Sequence, residues 1–380
     1  MKGVYLLDDS IISPLGFSTE ENLQAIRNEK SALQLHKSSR FSSGSFYAGS
    51  LDKVAISEAF EKIGNPADYT KLEQMMLLSV DQIIKANPEL DLNSTGLVIS
   101  TTKGNIDLLG GDKFSEDRIL LSELGEVIRK FFGFKLKPIV VSNACISGGL
   151  AMTVAAKFIE AGKFENAVVV GGDLVSDFVV FGFQSFQAIS DQPCKPFSND
   201  RNGISIGEAA AAVLLGSKPK KNSENVKIIG EASVNDANHI SGPSRTGEGL
   251  FKSIQRALAE AEISAERIDY VSAHGTATIF NDEMEAIAFH RSGFQKVPLN
   301  SYKGYYGHTM GASALLESIL TKHCLLNNEL FSCLNYNGPG TSKELSIISD
   351  YRKQELNYAL KTASGFGGCN LAMVLKKEQK

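Results

Sequence analysis

Apolar and mixed segments alternate along the whole chain and predict an α/β protein. The first half contains a helix-like segment with apolar residues every three to four positions, LEQMMLLSVDQIIKANPEL, followed by the strand-like run TGLVISTTKG. The second half repeats this succession with LFKSIQRALAEAEIS and IDYVSAHGTAT. Helices that alternate with strands indicate mainly parallel sheets covered by helices.

The two halves of the chain also resemble each other in detail. Alignment of the halves matches Gly148 with Gly311 and Cys145 with His308. Each matched pair lies where we expect a helix to begin. The repeat therefore predicts two halves related by a pseudo-twofold axis, with these two helix starts side by side.

A polar linker marks the boundary between the halves. The segment GSKPKKNSEN follows the buried-strand pattern AAAAVLLG and precedes VKIIGEASVNDA, which resembles the opening GVYLLDDSIISPLG. We accordingly expect an N-terminal half over residues 1–220 and a C-terminal half over residues 226–380.

Composition narrows the class of protein. Of 380 residues, 43% are hydrophobic and 22% charged, and the net charge of −4 favours neither nucleic acid nor an anionic membrane surface as partner. The chain has neither a signal-peptide pattern nor an 18-residue apolar run, so we expect a cytoplasmic protein without membrane insertion. The five cysteines are scattered and fit neither a disulfide framework nor a zinc site.

One cysteine stands at a chemically favoured position. In VSNACISGGLAM, Cys145 follows a predicted buried strand, residues 138–142, and precedes small residues that open a helix. The free N–H groups and the dipole of a helix start favour a thiolate. The alternative is a small apolar residue packed at a tight corner.

Two histidines are expected to join Cys145. His308 is its counterpart in the repeat, and the loop after YVSAHGTAT should carry His274 to the same place. A thiol beside two imidazoles is suited to acyl transfer through a covalent acyl-cysteine. The glycine turn SGFGGCN could supply backbone N–H groups for an oxyanion. Taken singly, each histidine could be structural, and the glycine segment could be a plain turn.

Several motifs in order along nearly the whole chain resemble those of a known family. These are PLG, NACISGG, KPFSNDRNGISIGEAAAAVLLG, YVSAHGTATIFNDEMEA, NSYKGYYGHTMGASALLE and SGFGGCNLAMVL. Together they are similar to the β-ketoacyl-[acyl-carrier-protein] synthases of the thiolase superfamily. The resemblance implies a thiolase-like α/β fold of two pseudo-symmetric halves, with mixed five-stranded sheets and buried helices in α-β-α-β-α layers.

The resemblance also implies a role for each motif residue in decarboxylative Claisen condensation. Cys145 would carry the acyl chain, and the N–H groups of Cys145 and Phe366 would hold the oxyanion, with Phe366 and Gly367 in the gating turn. His274 and His308 would bind the carbonyl of a malonyl thioester. The supporting and pantetheine-binding residues implied by the same motifs are Lys303, Glu317, Thr276 and Thr278.

Partners follow from the resemblance as well. Substrates would arrive on the phosphopantetheine of acyl-carrier protein, with no metal and no separate cofactor. A homodimer is expected through the strands that precede the cysteine helix, and a heterodimer with a second ketosynthase-like chain is the alternative. Lys71, Arg129 and Lys130 are candidates for carrier docking, although each could equally be a solvated surface charge.

Two other functions stay open at this point. A chain-length factor would share the fold and shape the tunnel of a partner, but such chains usually lose the nucleophile, which Cys145 retains. A thiolase acting on coenzyme A esters would use a second cysteine, for which Cys369 is a candidate. Fatty-acid elongation and type II polyketide or polyene synthesis share all the catalytic residues named, so the pathway and the acyl chain stay open.

Overall fold

The structure, a computed structural model, describes residues 3–37, 44–237 and 242–378. Its strands are β1 Val4–Ile12, β2 Gln34–His36, β3 Phe46–Gly49, β4 Gly96–Ser100, β5 Ile139–Val141, β6 Asn166–Asp173, β7 Ile206–Gly207, β8 Ala209–Gly216, β9 Asn225–Asn235, β10 Tyr270–Ser272, β11 Leu299–Asn300, β12 Glu329–Leu330, β13 Arg352–Lys353, β14 Tyr358–Gly365 and β15 Cys369–Glu378. Its α-helices are α1 Thr19–Arg27, α2 Lys53–Phe60, α3 Lys71–Ala86, α4 Leu121–Phe132, α5 Ser147–Glu160, α6 Asp177–Ser185, α7 Glu248–Glu260, α8 Ile279–Arg291, α9 Lys303–Tyr306 and α10 Ser313–Asn327. Short 3-10 helices cover Pro66–Asp68, Ile106–Leu108, Glu116–Ile119, Ala265–Arg267 and Met310–Ala312.

The main sheet is built twice from the same pattern. Its ten strands run in the order β11-β10-β14-β15-β9-β1-β8-β6-β4-β5. From β1 outward through β8, β6, β4 and β5, the successive pairings are antiparallel, antiparallel, parallel and parallel. From β9 through β15, β14, β10 and β11 the sequence of pairings is identical. The predicted pair of pseudo-symmetric, mixed five-stranded units is confirmed.

The two five-stranded units are joined edge to edge. Antiparallel pairing of β1 with β9, including Val4 opposite Ile228, makes the sheet continuous across the pseudo-twofold. Strand β8 ends at Gly216 and β9 begins at Asn225, so the linker segment is the turn between the units. The assignment of residues 1–220 and 226–380 as separate halves stays a prediction.

The apolar clusters define five layers. The central cluster joins α5 and α10 to the inner faces of both units, for example through Ala155, Leu320, Val213 and Met373. A second cluster packs α3 and α4 on the outer face of the first unit. A third packs α7 and α8 on the outer face of the second unit. The expected α-β-α-β-α layering is therefore present.

Sequence explains why α5 and α10 form the middle layer. Both helices are apolar or small on most sides, and nearly every residue of α10 is buried, including Leu316, Leu320 and Cys324. A helix without a polar face must be enclosed on all sides. Within the described ranges, no helix is long and apolar enough to cross a membrane.

Strand β5 differs from its prediction. The segment before Cys145 was expected to be a buried strand, but Ile139, Val140 and Val141 are all only half-buried. The reason is that β5 is the outermost strand of its unit and pairs only with β4 in the sheet. Its apolar side chains therefore lie at an open sheet edge.

Candidate active site

The three reactive residues predicted from the repeat meet at one point. The Sγ atom of Cys145 and one ring nitrogen each of His274 and His308 lie within 4.8 Å of one another. The two imidazole rings are 5.1 Å apart and nearly perpendicular, at 83°. All three side chains are buried, with Cys145 8% exposed. Their convergence is confirmed, and their catalytic roles stay predictions.

A strained turn presents Cys145. The preceding residue, Ala144, has φ of 45°, which is the left-handed region that residues other than glycine rarely adopt. The Ser147 hydroxyl fixes this turn, since it accepts from the Asn143 N–H at 2.8 Å and donates to the Ala144 carbonyl at 2.6 Å. Helix α5 begins directly afterwards. Cys145 therefore lies just before a helix start, as its sequence predicts.

His308 is less close to its helix than the repeat suggests. Helix α10 begins at Ser313, and the 3-10 helix Met310–Ala312 lies between it and His308. This extra turn has a consequence for the ring, because the Met310 N–H donates to His308 Nδ1 at 3.2 Å. The neutral ring must therefore carry its proton on Nε2.

The Nε2 atom of His308 is available for substrate. It is buried and has no hydrogen-bond partner among the described residues. Burial, followed by the charges of Lys303 and Lys103, holds the pKa of His308 well below its usual value. A buried polar group without a partner costs free energy unless a ligand satisfies it. His308 is thus a neutral N–H donor that lacks an acceptor.

His274 has the same tautomer for a different reason. The ammonium of Lys303 lies 3.3 Å from His274 Nδ1 and also donates to the His274 carbonyl. A lysine ammonium has no lone pair, so Nδ1 must accept and Nε2 must carry the proton. Burial first, and Lys303 second, lower the pKa of His274 well below its usual value.

A buried ion cluster supports the two rings. Glu317, on α10, accepts from Lys303 at 2.8 Å through Oε1 and from Lys361 at 2.5 Å through Oε2. Both lysines are 0% exposed. Burial would raise the pKa of Glu317, but the two ammonium groups outweigh it and lower that pKa. The resemblance implies that Lys303 and Glu317 form a charged network behind His308 and the Cys145 loop. The structure pairs these two residues, but Lys303 contacts His274, and the network contains a second lysine, Lys361.

The loop that carries His274 is held by two carboxylates of α8. Glu285 accepts from the N–H groups of His274 at 2.8 Å and Gly275 at 2.6 Å. Asp282 accepts from the Thr276 N–H at 3.0 Å. Burial, then the neighbouring Asp282, raises the pKa of Glu285 to about 7. The downstream acidic motif therefore fixes the loop backbone.

Some site residues were not singled out from the sequence. Asp282 and Glu285 are three residues apart and so lie on one face of a helix, which is a signal the motif NDEMEA contains. Asp173 ends the apolar run NAVVVGGD, and its carboxylate accepts from the Gly311 N–H at 2.7 Å. An acidic residue at the end of a buried strand is a comparable signal, because buried carboxylates require partners.

The expectation of a resting thiolate is wrong. Burial raises the pKa of Cys145 to about 11, although Lys303, Lys103 and the Phe366 N–H oppose this effect. Desolvation of the sulfur therefore outweighs the helix start and the nearby ammonium groups. Cys145 is a thiol at neutral pH.

The glycine turn after β14 closes against the cysteine. A Cβ on Gly365 would lie 2.9 Å from the Cys369 sulfur and 3.0 Å from the Cys145 nitrogen, so a larger residue would push this turn away from the cysteine. The Phe366 N–H lies close enough to the Cys145 sulfur to lower the pKa of the thiol. The Phe366 ring contacts Phe183 and Phe186, with centroids 5.6 and 5.2 Å apart. The turn thus brings the Phe366 N–H near the sulfur and sets the Phe366 ring among the aromatic side chains that line the same cavity.

A cavity of about 390 Å³ leads to the cluster. Cys145, His274 and His308 line it together with Phe366. Other lining residues are Thr276, Thr278, Phe183, Phe186, Ile279, Phe280 and Met284. The hydroxyls of the two threonines are 2.9 Å apart. The predicted threonines therefore lie on the cavity wall, whereas Gly367 is exposed and does not line it.

The charge around the cluster bears on metal binding. Cysteine and histidine are ligand types that zinc accepts. However, the ammonium of Lys303 touches the His274 ring, and Lys103 acts on both Cys145 and His308. Nearby positive charges oppose the entry of a further cation. A site without metal stays our expectation.

Two of the three candidate docking residues have internal partners. Lys71 pairs with the buried Glu208 and donates to the Leu51 carbonyl at 2.7 Å. Arg129 pairs with Glu126 at 2.8 Å on its own helix. Lys71 is therefore engaged by a buried carboxylate and is a poor docking candidate, whereas the Arg129 pair lies at the surface, so the docking roles of Arg129 and Lys130 stay predictions.

The layered fold and the Cys–His–His cluster together define a thiolase-like protein with a ketosynthase type of site. Comparison with known sequences agrees with this class. Residues 124–221 match the N-terminal domain of beta-ketoacyl synthases, and residues 226–337 match the C-terminal domain. These two matches together cover more than half of the chain. The chain belongs to the β-ketoacyl synthase family.

Individual relatives add detail. The chain is 31% identical over 253 residues to 3-oxoacyl-[acyl-carrier-protein] synthase 2 of Rhizobium meliloti, covering 62% of this chain and 60% of that protein. A chain of the ketosynthase ApeO and chain length factor ApeC complex from Xenorhabdus doucetiae superposes with a TM-score of 0.87 at 22% identity, covering 99% and 98% of the two chains. A chain of the type II polyketide complex AntDE:AntF superposes with a TM-score of 0.85 at 22% identity, covering 99% of each. The sequence relatives support an acyltransferase of the β-ketoacyl synthase type, and the structural likenesses support the fold.

Proposed function

We propose that this chain condenses an acyl group held on Cys145 with a malonyl thioester, with loss of carbon dioxide. One observation carries the proposal: the proton-bearing Nε2 atom of His308 is buried without a partner among the described residues, and it converges with the neutral His274 ring on a buried thiol. Two such donors stabilise the charge of an enolate oxygen, and being neutral they leave the thioester carbonyl unprotonated. A lone structural cysteine would need neither ring.

The first step loads the cysteine. The Cys145 sulfur attacks the carbonyl of an acyl thioester, and the oxyanion that forms is bound by the N–H groups of Cys145 and Phe366. Collapse breaks the bond to the donor sulfur, which leaves with the proton that Cys145 gives up. The close packing of the Gly365–Phe366 turn against the Cys145 backbone supports this geometry.

The second step forms the carbon–carbon bond. A malonyl thioester places its carbonyl oxygen on the Nε2–H groups of His274 and His308, and its carboxylate leaves as carbon dioxide. The electron pair stays on the α-carbon as an enolate, which attacks the acyl-Cys145 carbonyl. Collapse releases the β-ketoacyl thioester and the Cys145 thiolate. With its pKa of about 11, that thiolate then takes up a proton.

Substrates are proposed to arrive on a carrier protein. The cavity is open to solvent, and the apolar side chains of Ile279 and Phe280 on its wall are 59% and 77% exposed. The hydroxyls of Thr276 and Thr278 on its wall can bind the amides of a phosphopantetheine arm. The arm belongs to the carrier, so we propose no separate cofactor. The cytoplasmic location stays a prediction from the sequence.

A second chain is proposed to pair with β5. The strand is an open edge with half-buried Ile139, Val140 and Val141, and such apolar edges are templates for another strand. The simplest arrangement is a twofold homodimer in which two β5 strands pair. A ketosynthase-like partner chain would use the same edge. Measurement of molar mass in solution, alone and with such a chain, separates these two arrangements.

Acylation of the cysteine tests the proposed function. Wild-type protein incubated with acyl-carrier proteins of defined chain length should gain the acyl mass, and Cys145→Ala should not. Cys369→Ala is the matched control, because Cys369 is the neighbouring thiol that a thiolase reading would require. It should retain the adduct. Absence of an adduct with every chain length would overturn the proposal.

A further inference from the structure

A buried lysine stands where the strand pattern calls for an apolar side chain. On β14 the positions that face α10 are Ala359, Lys361 and Ala363, and the two alanines belong to the apolar interior. Lys361 is 0% exposed. Burying a charge costs several kcal/mol unless it is well paired. The presence of a lysine here is therefore not explained by packing.

The three groups that accept hydrogen bonds from Lys361 either directly precede His274 in the chain or bind Lys303, which contacts the His274 ring. Its ammonium donates to the carbonyls of Ser272 at 3.3 Å and Ala273 at 3.2 Å, the two residues directly before the histidine. Its third contact is Oε2 of Glu317, at 2.5 Å. The three protons of the ammonium are thus all used. Lys361 ties the end of β10 to the carboxylate on α10.

The two oxygens of the Glu317 carboxylate pair with different lysines, and this determines where Lys303 lies. Lys361 occupies Oε2, so only Oε1 is left for Lys303, and Oε1 also accepts from the Ser313 hydroxyl at 3.0 Å. Lys303 is held at this one oxygen and reaches His274 Nδ1 with its remaining donors. Without Lys361, Oε2 of Glu317 would lose its cation, and the carboxylate could rotate toward Lys303 and draw that ammonium away from His274 Nδ1.

We propose that Lys361 is a positioning residue that keeps the Lys303 ammonium on His274 Nδ1, so that the histidine presents its Nε2–H to the thioester carbonyl. This inference rests on the proposed function for the chemistry at Nε2, but the arrangement itself is a property of the resting protein. Lys361 touches no reacting atom. It acts through Glu317, through Lys303 and through the backbone before His274.

The tautomer of His274 tests the proposal without any substrate. In protein labelled with ¹⁵N-histidine, the His274 ring, assigned by its loss in His274→Gln, should show only the Nε2–H form in wild type. In Lys361→Met a substantial fraction should change to the Nδ1–H form. Lys361→Gln, which keeps an amide donor for the carbonyls but no charge for Glu317, should show the same change and serves if the methionine variant does not fold.

Lys322→Met is the matched control. Lys322 is also nearly buried and lies on the same helix as Glu317. It forms its own ion pair, with Asp9 at 2.6 Å. Its loss should lower stability but leave the His274 spectrum unchanged. A wild-type spectrum in both Lys361 variants, or the same change in Lys322→Met, would overturn the proposal.

Rates of the partial reactions give a second reading. Lys361→Met should slow malonyl decarboxylation by about tenfold and leave acylation of Cys145 near the wild-type rate. In the Glu317→Gln background the same substitution should add little, because the two residues act through one network. Equal losses in both partial reactions, or additive losses, would contradict the inference. If wild-type protein neither acylates nor decarboxylates, the proposed function fails, and the tautomer comparison still decides the role of Lys361.

Discussion

A Cβ atom on Gly148 would lie 2.9 Å from the carbonyl oxygen of Gly311. These two glycines are the matched positions of the internal repeat, one near the start of α5 and one just before α10. Their contact brings the two halves together at the pseudo-twofold. The positions of Cys145 and His308 relative to each other depend on this close approach.

Gly148→Ala should damage both stability and catalysis. The added methyl would also lie 2.7 Å from the Leu315 nitrogen, and backbone atoms cannot move aside as a flexible side chain can. We expect the free energy of unfolding to fall by about 1–3 kcal/mol, measured by denaturant titration. The rate of condensation should fall further than stability explains, because the cysteine and histidine loops move apart.

Gly182→Ala is the control for this change. Gly182 lies within α6, and apart from its own helix backbone and chain neighbours no heavy atom of the described residues lies within 4 Å of the position that its Cβ would take. Alanine is the better helix former by about 1 kcal/mol, so this variant should be as stable as wild type or more stable. An unaffected Gly148→Ala protein would show that the two helix starts tolerate separation.

His308→Ala should separate the two chemical steps. The Nε2–H of His308 has no partner among the described residues, so the substitution removes a donor to the enolate. It also leaves the Met310 N–H without its Nδ1 acceptor, so the free energy of unfolding should be measured alongside the rates. We expect carbon dioxide release from a malonyl thioester to slow by about 10²–10³-fold, as for the loss of an oxyanion donor. Acylation of Cys145 should persist. Loss of acylation together with decarboxylation would assign His308 a role in activating the thiol instead.

The reactivity of Cys145 should show the pH dependence of a thiol whose pKa is not lowered. Burial raises its pKa to about 11, so the thiolate fraction should increase about tenfold per unit as the pH rises from about 7 to 9. The rate of iodoacetamide modification at Cys145, followed by peptide mass, should rise over this whole range without a plateau. A plateau below about pH 8 would show that the helix start lowers the pKa after all.

The open edge of β5 predicts a dimer that a single proline disrupts. Because the Val141 carbonyl accepts from Thr101 on the β4 side, the neighbouring Val140 N–H points to the open edge. Light scattering should give wild type a mass about twice 41.0 kDa. Val140→Pro removes the outward donor and should yield monomer. A monomeric wild type that dimerises only with another ketosynthase-like chain would favour the heterodimer.

The sequence predicts the repeated architecture well because both halves show the same local patterns of apolar and polar residues. Periodicity gave each half its helices and strands, and the match of Cys145 with His308 indicated which loops meet. It missed Lys361, because a lysine in the run YALKTASG has the pattern of a solvent-facing strand position. Only the packed structure shows that this face lies against α10.

Other misses also concern what surrounds a residue. The sequence placed Cys145 correctly, yet its pKa depends on burial by distant segments, which outweighs the local helix start. Strand β5 is composed of apolar residues typical of a buried strand, yet these residues form a half-buried sheet edge. The sequence around Lys71 is typical of a surface cation, but in the structure Lys71 forms an ion pair with Glu208, which is far away in the chain. Each of these outcomes depends on contacts between residues far apart in sequence.

The central claim is that an acyl group on Cys145 is transferred to the enolate of a decarboxylated malonyl thioester. The most direct measurement isolates the acylated wild-type protein, adds malonyl-carrier protein, and follows both proteins by intact mass. The account predicts that Cys145 loses its acyl mass while the carrier gains a β-ketoacyl group in equal amount. An acyl mass that persists on Cys145, or carbon dioxide release without a β-ketoacyl product, would contradict it.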